Sequence, residues 1–91
     1  MNFEFDPTKD IANIAKHGVS LEAAVDFDFS ESVAWVFDDT RRDYGETRYV
    51  GISYIGDVLH VLVFTPRAGG IRVISLREAN SREEKLYEQK S

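Results

Sequence analysis

Apolar positions near the start of the chain recur with the period of a helix, and the residues around them predict where helices begin and end. Asp6-Pro7 predicts a helix start, since aspartate caps free amides and proline suits the first helical position. The apolar spacing over residues 11–15 continues this helix, and Gly18 stands where helices commonly end. Residues 20–25 predict a second short helix that is capped by its serine.

In the middle of the chain, alternating or wholly apolar runs predict strands. The four predicted strands span residues 33–37, 48–55, 59–65 and 71–76. The third is almost wholly apolar, which is typical of a central strand covered on both faces. Short glycine-containing connections at 55–58 and 66–70 favour antiparallel pairing, whereas the link 38–47 is longer, polar and expected to be mobile.

The end of the chain predicts a last helix. Asn80 or Ser81, followed three residues later by Glu83 or Glu84, matches a capping box, and the helix would run to Gln89. The element order is therefore helix, helix, four-stranded antiparallel sheet, helix. This order predicts an α+β domain whose helices pack on one face of the sheet.

Composition excludes several classes of protein. Ninety-one residues, 43% of them hydrophobic, suffice for one packed core, so we expect a single domain over residues 1–91. The absence of cysteine excludes disulfides, thiolate chemistry and cysteine-based zinc sites. No charged-then-apolar leader opens the sequence, and no apolar run approaches the ~20 residues of a membrane helix. We therefore expect a soluble cytoplasmic protein without membrane contact.

Charge is distributed unevenly along the chain. Residues 1–46 carry a formal charge of -7 and residues 47–91 one of +2, which together give the net charge of -5. Residues 65–77 hold three arginines and no acid. This imbalance is either ordinary scatter on a small surface or the mark of a functional basic side, and charge alone leaves both interpretations open.

The three arginines of that segment are the first candidates for a binding site. Arg67 falls in the predicted hairpin, Arg72 near the start of the fourth strand and Arg77 just past its end. In a regular strand, Arg72 and Arg77 would point to opposite faces of the sheet. Guanidinium groups bind phosphate and carboxylate through paired hydrogen bonds, although arginines also occur as solvated residues that block edge pairing. We interpret the segment as a binding surface.

Histidine and carboxylate candidates lie outside this segment. His17 ends the first helix beside Lys16, where the helix dipole favours a protonated ring that suits a general acid or a phosphate contact; a simple capping role is the alternative, favoured by spacing alone. His60 falls in an apolar strand and is expected to be structural, and two isolated histidines predict no metal site. Glu46 and Arg48 are two residues apart and can pair on one face, where Glu46 could accept a proton.

Several segments together resemble the BrnT toxins. They are residues 3–7, 16–24, 46–52, 65–67 and 71–79, with Lys9, Asn13, Glu83 and Tyr87 between and after them. The Lys16–Val19 and Arg72–Ala79 segments, at this separation, are the most specific part of the resemblance. The chain departs from the family pattern at Phe5, where tryptophan is usual, at Leu76, where alanine is common, and at Glu78, where many members carry a basic residue.

The resemblance implies a RelE-like fold and a ribonuclease toxin of a type II toxin–antitoxin system that needs no metal or other cofactor. From the chemistry of metal-free RNA cleavage we predict Arg67, Arg77, His17, Lys16 and Glu46 as catalytic residues and Arg72, Arg48 and Lys9 as RNA-binding residues. In this hypothesis the arginines hold the phosphoryl charge, Lys16 and His17 add charge or supply the acid, and Glu46 acts as base or as orienting group. The implied partner is a BrnA-like ribbon-helix-helix antitoxin, through which alone the toxin would reach DNA. The alternative is a non-catalytic binding module that acts only through its partner, and the acidity of the chain is unfavourable for a nuclease.

Overall fold

The computed structural model describes residues 1–90 as an α+β fold built on one five-stranded sheet. Its elements, in chain order, are β1 (Asn2–Glu4), α1 (Pro7–His17), a 3₁₀ helix (Leu21–Asp26), β2 (Trp35–Asp38), β3 (Tyr49–Ile55), β4 (Val58–Arg67), β5 (Gly70–Glu78) and α2 (Ser81–Lys90). The strand order is β1-β5-β4-β3-β2, with β1 parallel to β5 and all other neighbours antiparallel. No helix within residues 1–90 is long and apolar enough to cross a membrane.

The prediction of four antiparallel strands is wrong, because the chain opens with a short fifth strand. β1 has only three residues, too few for any periodicity, and it forms because β5 offers it a parallel edge at Gly70. A side chain at Gly70 would collide with the backbone of Asn2, so only glycine allows this approach. The second predicted helix exists, but it is a 3₁₀ helix, capped by Ser20, which accepts a hydrogen bond from the Glu22 amide.

Helix α1 begins and ends as predicted, but its apolar residues face solvent. Ile11 and Ile14 are 71% and 46% exposed, whereas the one buried residue of α1 is Asn13. The side-chain amide of Asn13 donates to the backbone carbonyl of Leu76 at 2.7 Å, and the backbone amide of Leu76 donates to Asn13 Oδ1 at 3.3 Å. Beyond the end of β1, this side chain therefore replaces a strand partner and fixes α1 against the edge of β5.

A bulge in β5 changes which side its arginines face. Phe64 is opposite Val73 and Val63 is opposite Ser75, so Ile74 is an extra residue in the ladder. Because of this shift, Arg72, opposite Thr65, and Arg77, opposite Val61, lie on the same face of the sheet. The expectation of opposite faces assumed a regular strand and is wrong.

The two faces of the sheet are covered unequally, and helices do not pack on one face as predicted. The face we call the closed face packs against the 3₁₀ helix in a core of Leu21, Ala24, Phe27, Leu62, Phe64, Ile71, Val73 and Leu76. The other, which we call the open face, carries Val50, Ile52, Leu59, Val61 and Val63 and is only partly covered by α2. No residue of α2 is fully buried, and its main anchor is Tyr87, whose hydroxyl donates to the Val33 carbonyl at 2.6 Å.

Candidate functional site

The open face carries a groove beside α2, which we call the sheet groove. Its volume is about 260 Å³, and it is lined by Trp35, Phe37, Arg41, Val50, Ile52, Val61, Val63, Ser75, Arg77, Glu83 and Leu86. The lining consists of two rows of side chains that are cross-strand partners. One row crosses the sheet from β2 through β3 and β4 to Arg77 on β5, and the next crosses the same strands to Ser75. The result is an apolar floor with a guanidinium group at its β5 side.

Arg77 is held in the groove by a carboxylate of α2. Its Nη1 and Nη2 each lie 2.7 Å from an oxygen of Glu83, so the pair is bidentate. Glu83 also accepts a hydrogen bond from the Asn80 amide, and its own amide donates to Asn80 Oδ1, which is the predicted capping box. The Glu83 hydrogen bonds raise the pKa of Arg77, and those of Arg77 lower the pKa of Glu83. Arg77 is thus fixed in position while its side chain stays 34% exposed.

A second guanidinium group reaches the groove from the loop after β2. Asp39, whose side chain is only 1% exposed, accepts hydrogen bonds from Arg41 Nε at 2.8 Å and Nη2 at 2.7 Å. These bonds lower the pKa of Asp39 to about 2. The charge of Arg41 lowers the pKa of Arg77, against the larger effect of Glu83. Because the two guanidinium groups repel each other, an anion between them would be stabilised.

His17 lies beside this groove, at the end of α1. A smaller cleft between α1 and β5 is lined by Lys9, Ala12, Asn13, Lys16, His17, Ile74 and Ser75, so Ser75 is shared with the sheet groove. Burial lowers the pKa of His17, and the charges of Lys16 and Arg77 lower it further. Burial and these two charges therefore oppose the protonated ring that the helix dipole was expected to favour. A ring that is mostly neutral at pH 7 is suited to accept a proton.

The other predicted site residues meet at the end of the β4–β5 hairpin, in what we call the hairpin network. Two glutamates link three arginines there, in the order Arg72, Glu4, Arg67, Glu46, Arg48, with N–O distances of 3.3, 3.3, 3.6 and 3.3 Å. Alternation along β4 and β5 places Arg67 and Arg72 on the open face. Glu46 contacts Arg48 and Arg67, and no ion pair within residues 1–90 joins it to Arg77.

The structure thus gathers the predicted cations on one side of the sheet, but in two groups. Lys9, Lys16 and His17 line one cleft, next to the sheet groove that holds Arg77, and together they form the first group; the hairpin network forms the second. Every predicted arginine already pairs with a carboxylate, whereas no ion pair within residues 1–90 involves Lys9 or Lys16. A phosphate must therefore share each guanidinium group with a carboxylate or displace that carboxylate.

His60 lies opposite Glu78, and alternation along β4 places it on the closed face, away from the side that carries both groups. It is buried in β4, where its Nδ1 lies 2.9 Å from the Val58 carbonyl oxygen, which fits the structural role expected for it. In the part of the chain that the structure describes, no group of three or more His, Cys, Asp or Glu side chains is placed to hold a metal ion.

Sequence reasoning missed three residues of the sheet groove: Trp35, Phe37 and Arg41. The two aromatics fall in a predicted strand, and their alternation already places both on one face. Arg41 falls in the link that was expected to be mobile. The Asp39 amide donates to the Arg48 carbonyl at 2.8 Å and holds the start of this link, which the polar composition did not indicate.

The chain belongs to the BrnT family, the ribonuclease toxins of type II toxin–antitoxin systems, since the model of that family matches residues 5–83. The resemblance inferred from the sequence is thereby confirmed. The match covers α1, all of β2–β5 and the start of α2, so every cation of the two groups lies within it. Of the hairpin network, only the carboxylate of Glu4 lies outside the match. No curated protein and no solved structure matches the chain, and the RelE-like fold stays a prediction.

Proposed function

We propose that this BrnT-family chain is an active endoribonuclease that cleaves RNA without a metal ion, and that RNA binds along the open face. The observation that carries the proposal is the proximity of His17 and Arg77: they line two clefts that share Ser75, and the charge of Arg77 helps to lower the pKa of His17. A proton acceptor and a fixed cation at one place are the minimum that this cleavage needs. The family supplies the reaction class.

The proposed chemistry follows from these roles. The ring of His17 accepts the proton of a 2′-hydroxyl, whose oxygen attacks the adjacent phosphorus and displaces the 5′-oxygen. Arg77 and Arg41 stabilise the charge that develops on the phosphoryl oxygens. Lys16, exposed beside His17, donates a proton to the leaving oxygen. The products are a 2′,3′-cyclic phosphate and a 5′-hydroxyl.

The hairpin network is proposed to hold the RNA on one side of the cleaved bond. Arg67, Arg72 and Arg48 would contact neighbouring phosphates, and Lys9 would extend the cationic track along α1. Arg72 and Arg77 are separated along β5 by roughly 15 Å at the usual rise per residue. For Glu46 we propose the second of its two expected roles, that of an orienting group. Its contacts with Arg48 and Arg67 suit it to orient both guanidinium groups.

The chemistry of the RNA ends tests this mechanism. Purified protein should leave 2′,3′-cyclic phosphate and 5′-hydroxyl ends, at the same rate with and without a chelator. Arg77→Ala should abolish both the cleavage and the growth arrest on expression, while its far-ultraviolet circular dichroism stays unchanged. Ends with 5′-phosphate, or toxicity retained by a folded Arg77→Ala variant, would contradict the proposal.

We further propose a BrnA-like ribbon-helix-helix antitoxin as the partner in the cytoplasm, with DNA bound through it alone. A type II system implies an antitoxin, and α1 supports binding of a protein, because Ile11 and Ile14 are exposed on a helix whose one buried residue is the polar Asn13. The gene adjacent to the one that encodes this chain should encode a short ribbon-helix-helix protein, and that protein should co-purify with the chain. Co-purification should weaken in an Ile11→Ser/Ile14→Ser variant.

The second candidate function is a non-catalytic module that acts only through its partner. The pairing of every predicted arginine with a carboxylate favours it, because an acidic protein then presents less free positive charge to RNA. Expression without the partner separates the two functions. A nuclease degrades RNA and stops growth, whereas a module does neither.

A further inference from the structure

Two aromatic rings line the sheet groove at β2: Trp35 packs against the apolar cluster of the open face, whereas Phe37 belongs to neither core. Trp35 and Phe37 alternate on β2, with ring centroids 4.9 Å apart and planes inclined by 42°. Phe37 is 38% exposed, although its strand forms an edge of the sheet where exposed aromatic residues invite association. Trp35 is half-buried behind it, with the Lys90 ammonium 5.2 Å from the centre of its ring.

Cations lie in the same groove as these rings. Arg41 and Arg77 line it, and each is held in place by its own carboxylate. An apolar ring beside two fixed guanidinium groups matches the two halves of a nucleotide, a flat base and a phosphate. The groove volume of about 260 Å³ lies below the usual range for drug-sized ligands, which suits one base better than a larger molecule.

We propose that the sheet groove binds one unpaired nucleobase of single-stranded RNA. The base stacks on the exposed ring of Phe37, which itself rests on Trp35, and the phosphate of that nucleotide lies between Arg41 and Arg77. This inference rests on the proposed function and deepens it, because it restricts the substrate. In an RNA duplex both faces of each base are covered by neighbouring bases, so only an unpaired base can stack on a protein ring. The enzyme would therefore cut loops and single strands and leave duplexes intact.

A strand of a partner protein is the other possible occupant of this region. It would pair with the backbone edge of β2 and place alternate side chains over the rings. Such pairing makes no use of Arg41 and Arg77, whereas a nucleotide uses the rings and both guanidinium groups together. Charge complementarity within the groove therefore favours the nucleotide.

The single tryptophan of the chain provides the measurement, since Trp35 alone reports from this groove. A short 2′-O-methyl RNA is the probe, because it lacks the free hydroxyl that the proposed cleavage needs. It is titrated into the purified protein as a single strand and, separately, annealed to its complement. The single strand should quench the Trp35 fluorescence saturably, and the duplex should leave it nearly unchanged.

A matched pair of variants assigns the binding to the ring of Phe37. Phe37→Leu should weaken single-strand binding by roughly fivefold to a hundredfold, the range expected for losing one base–aromatic stack. Tyr54→Leu is the control, because Tyr54 is also 38% exposed on the open face but lines a different pocket. This control should bind the probe as the unchanged chain does.

Other outcomes would overturn the inference. Equal quenching by single strand and duplex, or an unchanged affinity in folded Phe37→Leu, would exclude stacking even if Arg77-dependent cleavage persists. Loss of antitoxin binding with intact RNA binding in Phe37→Leu would assign the rings to the partner protein. Failure of the unchanged chain to bind any RNA and to cleave it would remove the proposed function itself, and the inference with it.

Discussion

The closed and open faces of one sheet differ in what their side chains do. On the closed face Leu21, Leu62 and Leu76 are fully buried, and the 3₁₀ helix seals the core. On the open face α2 covers only part of the sheet, and the groove beside it holds aromatic rings and paired cations. Because side chains alternate along each strand, the same five strands supply folding free energy with one side and leave the other available for chemistry.

The largest expected effect is on stability and comes from the closed face. Leu62→Ala should lower the free energy of unfolding by about 2–5 kcal/mol, since it leaves a cavity in a sealed core. Its neighbour Val61 points to the open face, and Val61→Ala should cost only about 1.5 kcal/mol, the transfer of two methyl-sized groups. Urea denaturation of both variants measures the difference. Equal losses would mean that the open face is as tightly packed as the closed face.

A smaller effect should appear in the pH dependence of stability. The pKa of Asp39 is about 2 in the folded protein, below its ordinary value. Between these two pKa values the unfolded chain therefore binds more protons than the folded protein. The stabilisation is therefore complete above about pH 4 and is lost as the pH falls towards 2. We expect it to be about 1 kcal/mol, since solvent around the exposed Arg41 screens the pair.

The comparison of Asp39→Asn with the unchanged chain measures this contribution. The two unfolding free energies should differ at pH 6 and converge near pH 2. A difference that stays constant over this range would show that the Asp39 charge does not hold Arg41 in place.

The smallest expected effect concerns the carboxylate of Glu83, which forms an ion pair with Arg77. Glu83→Gln keeps the shape of the α2 cap but removes the charge that competes with an RNA phosphate. Since partly exposed ion pairs contribute about 0.2–1 kcal/mol, the KM for single-stranded RNA should fall about twofold to fivefold. Steady-state cleavage kinetics measure it. A rise in KM would mean that the Glu83 charge positions Arg77 for the substrate and does not compete with it.

The sequence was sufficient where local chemistry determines structure. The caps of α1, the strands of the β3–β4–β5 meander and the capping box of α2 follow from Asp6, Gly18 and Asn80 with Glu83. Each of these depends on neighbours within a few residues, and so each leaves a pattern that the sequence alone displays.

The sequence was insufficient where a distant partner decides the outcome. β1 needs the edge of β5, and α1 turns its polar side inward because Asn13 completes that edge. The bulge at Ile74 reverses the direction of every later side chain in the strand, which no periodicity reveals. Without that shift, Arg77 would not lie in the groove.

The most direct test of the account compares two arginines that differ in place but not in charge. Arg77 lies in the groove of the open face, whereas Arg82 is exposed on α2 and lines no part of that groove. Cleavage of one single-stranded RNA by Arg77→Gln and Arg82→Gln is measured as kcat/KM, with folding checked for both. We expect Arg77→Gln to lose about a hundredfold or more, as when one fixed donor to a transition-state anion is removed, and Arg82→Gln to lose less than about threefold. Equal losses in the two variants would contradict the assignment of the open face as the site of RNA cleavage.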